Sequence, residues 1–117
     1  MPKENKLADM SLDFAVMVLH FTDGIHGHHS LVNQLERAGT SIGANIREAK
    51  YAQSPADFAS KLQIALKECY ESEYWLELFE KSGIATAEAI SPLITLCKQI
   101  RYLLVASLNT VKSHSNS

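Results

Sequence analysis

The chain is expected to fold as an all-α, antiparallel up-down-up-down four-helix bundle. Three observations lead there. Apolar residues return at alternating steps of three and four in four separate runs, glycine or proline falls between the runs, and no segment alternates in the period-two manner of a strand. Short connections between long helices force neighbours to run antiparallel. The 117 residues are read as one domain, with helices over about 6–22, 30–51, 55–81 and 87–112.

The first helix carries the stripe Leu7, Met10, Phe14, Met17 and Phe21, with Asn5 or Asp9 as its cap and Asp23-Gly24 as its stop. Leu12, Val16 and Leu19 widen the apolar face, so this helix is expected to touch more than its own bundle. Glycines mark Gly24-Ile25-His26-Gly27-His28-His29 as a loop. The second stripe is Leu31, Leu35, Ala38, Ile42, Asn45 and Ala49, with Ser30 as N-cap. The third helix is announced by Ser54-Pro55-Ala56-Asp57, which supplies a capping hydroxyl, a proline at the first helical position and an acid near the positive helix end. Its stripe is Phe58, Leu62, Ala65, Cys69, Ser72, Leu76 and Phe79, closed by Ser82-Gly83. The fourth stripe is Ile90, Leu93, Cys97, Ile100, Leu104, Ser107 and Val111. Its start is open between Ala87 and Pro92. Ile90 already fits the stripe, which favours a start after Thr86 with the proline inside the helix.

Antiparallel packing about Gly83 puts Cys69 and Cys97 level, since each lies fourteen residues from it. Two packed, reduced thiols are expected there rather than a bridge. Packing helices 2 and 3 about residues 52 and 53 brings Arg37 level with Glu68, an expected ion pair.

Composition excludes several function classes. Apolar residues make up 46% and charged residues 21%, which argues against disorder. The net charge of −2 argues against a chain that binds nucleic acid over its whole surface; such binding would have to come from a local or symmetry-repeated patch. No run reaches the roughly 18 uninterrupted uncharged apolar residues of a membrane helix. The N-terminus lacks the apolar core of an export signal, and two cysteines fit a cytoplasmic setting.

No catalytic, cofactor or metal residues are assigned. Bundle di-iron sites use Glu-x-x-His on facing helices, and no glutamate here is followed by histidine at the third position. His26, His28 and His29 cluster in one loop without the convergent, supported ligands of a metal site. Nucleophile elbows and glycine-rich phosphate loops are also missing. The dense segment is Arg37-Ala38-Gly39-Thr40-Ser41-Ile42-Gly43-Ala44-Asn45-Ile46-Arg47-Glu48-Ala49. Gly39 and Gly43 share a face and would let a neighbouring backbone approach, and Ser41 and Asn45 complete the packing motif. A glycine inside a helix costs about 1 kcal/mol against alanine, so close packing must offset it. Arg37, Arg47, Lys50, Lys61 and Lys67 are the candidate contacts to nucleic acid or another partner, though glutamates are interspersed. Tyr70, Tyr74 and Trp75 lie beyond the inward stripe of helix 3 and are candidates for subunit contacts.

The dense segment, followed by Asp57-Phe58, Ile64-Ala65-Leu66-Lys67-Glu68 and Glu73-Tyr74-Trp75-Leu76, resembles the bacterial four-helix-bundle proteins of the 23S rRNA intervening-sequence family. The likeness runs from about Asn5 to Lys112. The family commonly reads Asn-Ile-Ala-Glu-Gly where this chain has Asn45-Ile46-Arg47-Glu48-Ala49. The missing catalytic motifs make a non-enzymatic bundle the expectation, and the resemblance implies an antiparallel bundle that assembles with itself into a homopentameric ring. It extends to the accessory variability protein of diversity-generating retroelements, which implies association with RNA, DNA or a nucleic-acid enzyme. A protein–protein adaptor without nucleic-acid binding is the alternative. No membrane association is implied.

Overall fold

The computed structural model describes residues 2–115, with side chains placed for residues 6–113. Four helices follow one another: α1 (Pro2–Asp23), α2 (His29–Lys50), α3 (Pro55–Lys81) and α4 (Ala87–Ser115). They lie alongside each other in a rod of 50 × 21 × 20 Å. Each helix packs on two neighbours, α1 on α2 and α4, and α3 on α2 and α4, while the diagonal pairs do not touch among the described residues. This is the square of an all-α four-helix bundle.

The helix ends follow local chemistry. α1 begins at Pro2, so Asn5 and Asp9 sit inside it and neither caps it; proline suits the first turn, where its missing N–H costs nothing. α2 begins one residue before Ser30, which is not its cap. His28 takes that position in the left-handed region (φ 53°) after Gly27 (φ 81°), and its carbonyl accepts from Val32 N at 2.9 Å. Ser54 caps α3 by accepting from Asp57 N at 3.0 Å, and Asp57 Oδ2 reaches back to accept from Gln53 N, just before the cap, at 3.2 Å. Just past the end of α3, Gly83 turns the chain at φ 81°, a backbone state that glycine adopts without a Cβ penalty. Thr86 caps α4, its hydroxyl accepting from Ala89 N at 3.1 Å, which places Pro92 inside the helix. α4 continues through Lys112 to Ser115.

Phe14, Leu35, Ile42, Cys69, Leu76, Phe79, Ile90, Cys97, Ile100 and Leu104 fill the core at 0% exposure. Two stripes differ in detail from the sequence reading. On α1 the innermost row is Leu7, Ser11, Phe14, Val18 and Thr22, with Met10, Met17 and Phe21 half-buried beside it. On α2, Ile46 is buried and Asn45 is only half-buried, because the stripe steps by four from Ile42 rather than by three. One helix, α4 over Ala87–Ser113, is long and apolar enough to cross a membrane by length and composition alone, and only 28% of its most apolar window is buried in the chain.

Candidate interaction surfaces

The glycines of α2 face α1. A Cβ at Gly39 would lie 3.1 Å from Val18 Cγ2, and one at Gly43 would lie 3.2 Å from Ser11 Oγ and 3.5 Å from the Ser11 carbonyl oxygen. Both distances are shorter than comfortable contact, so the bare glycine faces set how closely α1 and α2 pack. The polar residues of the same segment are spent on their own helix. Ser41 Oγ donates to the Arg37 carbonyl at 2.6 Å, and Asn45 Nδ2 donates to the Ser41 carbonyl at 2.8 Å. Across the α1–α2 seam, buried Thr22 donates to Glu36 Oε2 at 2.6 Å.

α3 carries two buried carboxylates, and each meets an arginine from a different neighbour. Arg37 of α2 donates to Glu68 at 3.0 and 3.4 Å and also pairs with Glu71. Arg101 of α4 donates to Glu73 at 2.8 and 3.2 Å. Hydrogen bonding to Glu68 and Glu73 respectively raises the pKa of each guanidinium above its ordinary value and keeps it charged. Sequence reasoning brought Arg37 to Glu68 but missed Glu73 with Arg101. Those two are not equidistant from Gly83, and long side chains span the offset.

Of the other candidate cations, Lys61 pairs with Glu48 at 3.2 Å. Arg47, Lys50 and Lys67 are exposed, and none of the described carboxylates pairs with them. Lys50 lies 5.9 Å from the ring centroid of Tyr51, which caps the end of α2 and is 74% exposed. Arg47, Lys50 and Tyr51 thus gather where α2 ends. Lys67 stands apart, near the middle of α3.

The aromatics divide. Trp75 is half-buried and packs against the core, so it belongs partly to the bundle interior rather than wholly beyond the stripe. Its ring meets Tyr74 edge-on at 5.2 Å. Tyr70 and Tyr74 are 53% and 59% exposed, one helical turn apart. Sequence reasoning missed Tyr102 of α4, 73% exposed, which joins them: the Arg101 guanidinium lies 5.2 Å from the Tyr70 ring centroid and 5.9 Å from that of Tyr102. On α1, Leu12, Val16 and Leu19 form an apolar ridge with 55%, 44% and 44% exposure.

Cys69 and Cys97 are free and fully buried, and Cys97 Sγ donates to the Cys69 carbonyl at 3.5 Å. Contact with the Cys69 thiol, reinforced by burial, pushes the Cys97 thiol well above its ordinary range. His26, His28 and His29 are exposed, and among the described residues no three His, Cys, Asp or Glu side chains are grouped to hold a metal ion.

The sequence model of the 23S rRNA-intervening sequence protein matches residues 3–106. No curated protein matches the sequence. Six chains among solved structures match. One is the crystal structure of a protein of unknown function from the S23 ribosomal protein family of Bacteroides thetaiotaomicron VPI-5482. It is 42% identical, with a TM-score of 0.86 over 92% of this chain and 98% of that one. The close-packed glycine segment on α2 and the paired glutamates on α3 both lie inside the matched span, and the chain belongs to the 23S rRNA-intervening sequence protein family.

Proposed function

We propose that this protein is a non-catalytic bundle that works by assembling with copies of itself, in the ring of five that its sequence resemblance implies. The observation that carries this reading is the exposed apolar ridge Leu12-Val16-Leu19. Three aliphatic side chains on one strip of one helix remain unpartnered within the chain, and contiguous exposed apolar surface of this kind is characteristic of interaction sites. The poorly buried apolar length of α4 supports it too. Both cysteines being free supports a reducing, cytoplasmic setting. Sedimentation velocity on the full chain tests the reading: an oligomer is expected at micromolar concentration, and a monodisperse monomer throughout refutes it.

A second reading, association with RNA or DNA, is favoured by the cluster at the end of α2. Arg47 and Lys50 are exposed without described carboxylate partners, and Tyr51 offers a ring on which a base could stack. A ring would repeat this cluster by symmetry and raise the local positive charge despite a chain charge of −2. Binding measured across a salt series should be strongest at low ionic strength and fall steeply as salt rises. Absence of binding at low salt leaves a protein partner as the use of these surfaces.

A further inference from the structure

The ridge on α1 has an acidic rim. Asp9 and Asp13 each lie three residues before a ridge residue, Leu12 and Val16, and Asp23 lies four after Leu19; all three are exposed. The bases on α1 among the described side chains are Lys6, three residues before Asp9, and His20, which follows Leu19, against the three aspartates. If two copies met ridge to ridge, their aspartates would gather along one seam, and like charges drawn together while water is excluded oppose association. A surface that buries this ridge must therefore present cations around a patch able to cover aliphatic side chains.

The face shared by α3 and α4 has that character. Tyr70, Tyr74 and Tyr102 are more than half exposed, and Arg101 lies between two of the rings. Glu73, the acid nearest that arginine, is already engaged by it at 2.8 Å. Lys67 and Lys98 are exposed on the same two helices, against one exposed acid in register with the rings, Glu77, three residues after Tyr74. Tyrosine and arginine are enriched at the centres of protein interfaces, because flat rings cover apolar surface at little entropic cost while the cation sets the partner's charge. Since α1 and α3 occupy diagonal corners of the bundle, ridge and face look outward in different directions. One copy can use both at once.

We propose that copies join head to tail, the Leu12-Val16-Leu19 ridge of one seating on the Tyr70-Tyr74-Tyr102 face of the next. The contact rests on the self-assembly proposed above and assigns it two unlike surfaces. Repetition of such a contact closes into a ring when the rotation between copies allows. The aspartates beside the ridge then meet the cations beside the tyrosines.

Two doubly substituted proteins test it. Val16→Glu with Leu19→Glu blocks the ridge, and Tyr70→Glu with Tyr102→Glu blocks the face. All four positions are exposed, so each protein should keep its helical circular dichroism. Each alone should weaken self-association by about thirtyfold or more, the effect of losing an interface hot spot. Mixed in equal amounts they should form a one-to-one pair that grows no further, because one supplies an intact ridge and the other an intact face. If the face-blocked protein still assembles alone, the ridge pairs with itself and the proposal is wrong. It is equally wrong if the mixture stays monomeric while the unsubstituted protein assembles. An unsubstituted protein that is itself monomeric overturns the assembly reading and this contact with it.

Discussion

Replacing Gly39 by alanine sets two opposing effects against each other, and the α1–α2 seam decides which wins. Alanine favours the helix by about 1 kcal/mol over glycine. The added Cβ would sit 3.1 Å from Val18 Cγ2 and 3.4 Å from Val18 Cγ1, with Phe14 Cε2 at 3.5 Å. Carbon pairs are at ease at about 3.5–4.0 Å, so α1 must move by several tenths of an ångström. Val18 and Phe14 are both fully buried and have little room to yield. Overpacking of this kind costs about 1–3 kcal/mol, so a net loss of about 1 kcal/mol is expected. Val18→Ala alone should cost about 2 kcal/mol through lost burial and a residual cavity. In the double variant the new methyl occupies space that valine has vacated, and the total loss should fall to about 1 kcal/mol, far below the sum. Urea unfolding of the four proteins, compared at constant m-value, reads these differences directly. If Gly39→Ala stabilises by its full helix-propensity gain, or the two changes add, the seam is looser than the distances state.

Other perturbations probe the remaining layers. Arg101→Ala should destabilise by about 2 kcal/mol, more than Arg37→Ala, because it strands a buried carboxylate where the arginine is itself well covered; thermal unfolding of both variants checks the order. Arg37→Ala and Glu68→Ala should be non-additive by about 1 kcal/mol in a double-mutant cycle, and additivity would mean that the ion pair in the structure carries no coupling. The thiols of Cys69 and Cys97 should resist a disulfide reagent in native buffer and react only as fast as the chain opens, since both are buried and the Cys97 thiol is held protonated; prompt titration of either would contradict that packing. Ser72→Ala should stabilise by about 1 kcal/mol, read from the urea midpoint, because the buried Ser72 hydroxyl has no hydrogen-bond partner among the described residues.

The fold was legible where backbone chemistry speaks locally. Ser54-Pro55 marks the start of α3 because a capping oxygen and a fixed φ are properties of those residues wherever they stand. The inward row of α3 could be read residue by residue, since Leu62, Ala65, Cys69, Ser72, Leu76 and Phe79 alternate steps of three and four without a break. Asn45 was misread because a step of three and a step of four from Ile42 are equally allowed in a helix, and only the neighbouring helix selects Ile46. His28 was hidden for another reason: a left-handed histidine ahead of a helix carries no side-chain signature, so Ser30 attracted the assignment. Among the surface groups, register reasoning could join Arg37 to Glu68 but not Glu73 to Arg101, whose contact depends on side-chain reach. Tyr102 passed unnoticed because one tyrosine on an apolar helix is unremarkable until Arg101 and Tyr70 are seen beside it.

The arginine–glutamate pairs have a consequence for how the chain holds its helices. Both run to α3, one from each side, so the second, third and fourth helices are riveted in sequence by charge. α1 has no such rivet among the described residues; it is kept in place by close packing against Gly39 and Gly43 and by a hydroxyl on Glu36. It should be the first helix to lift away during partial opening, with amide protons that exchange soonest. It is also the helix that offers its outer strip to a second copy. A neighbour seated there would press it home, so that mutual recognition between chains and completion of each chain's own interior become a single cooperative event.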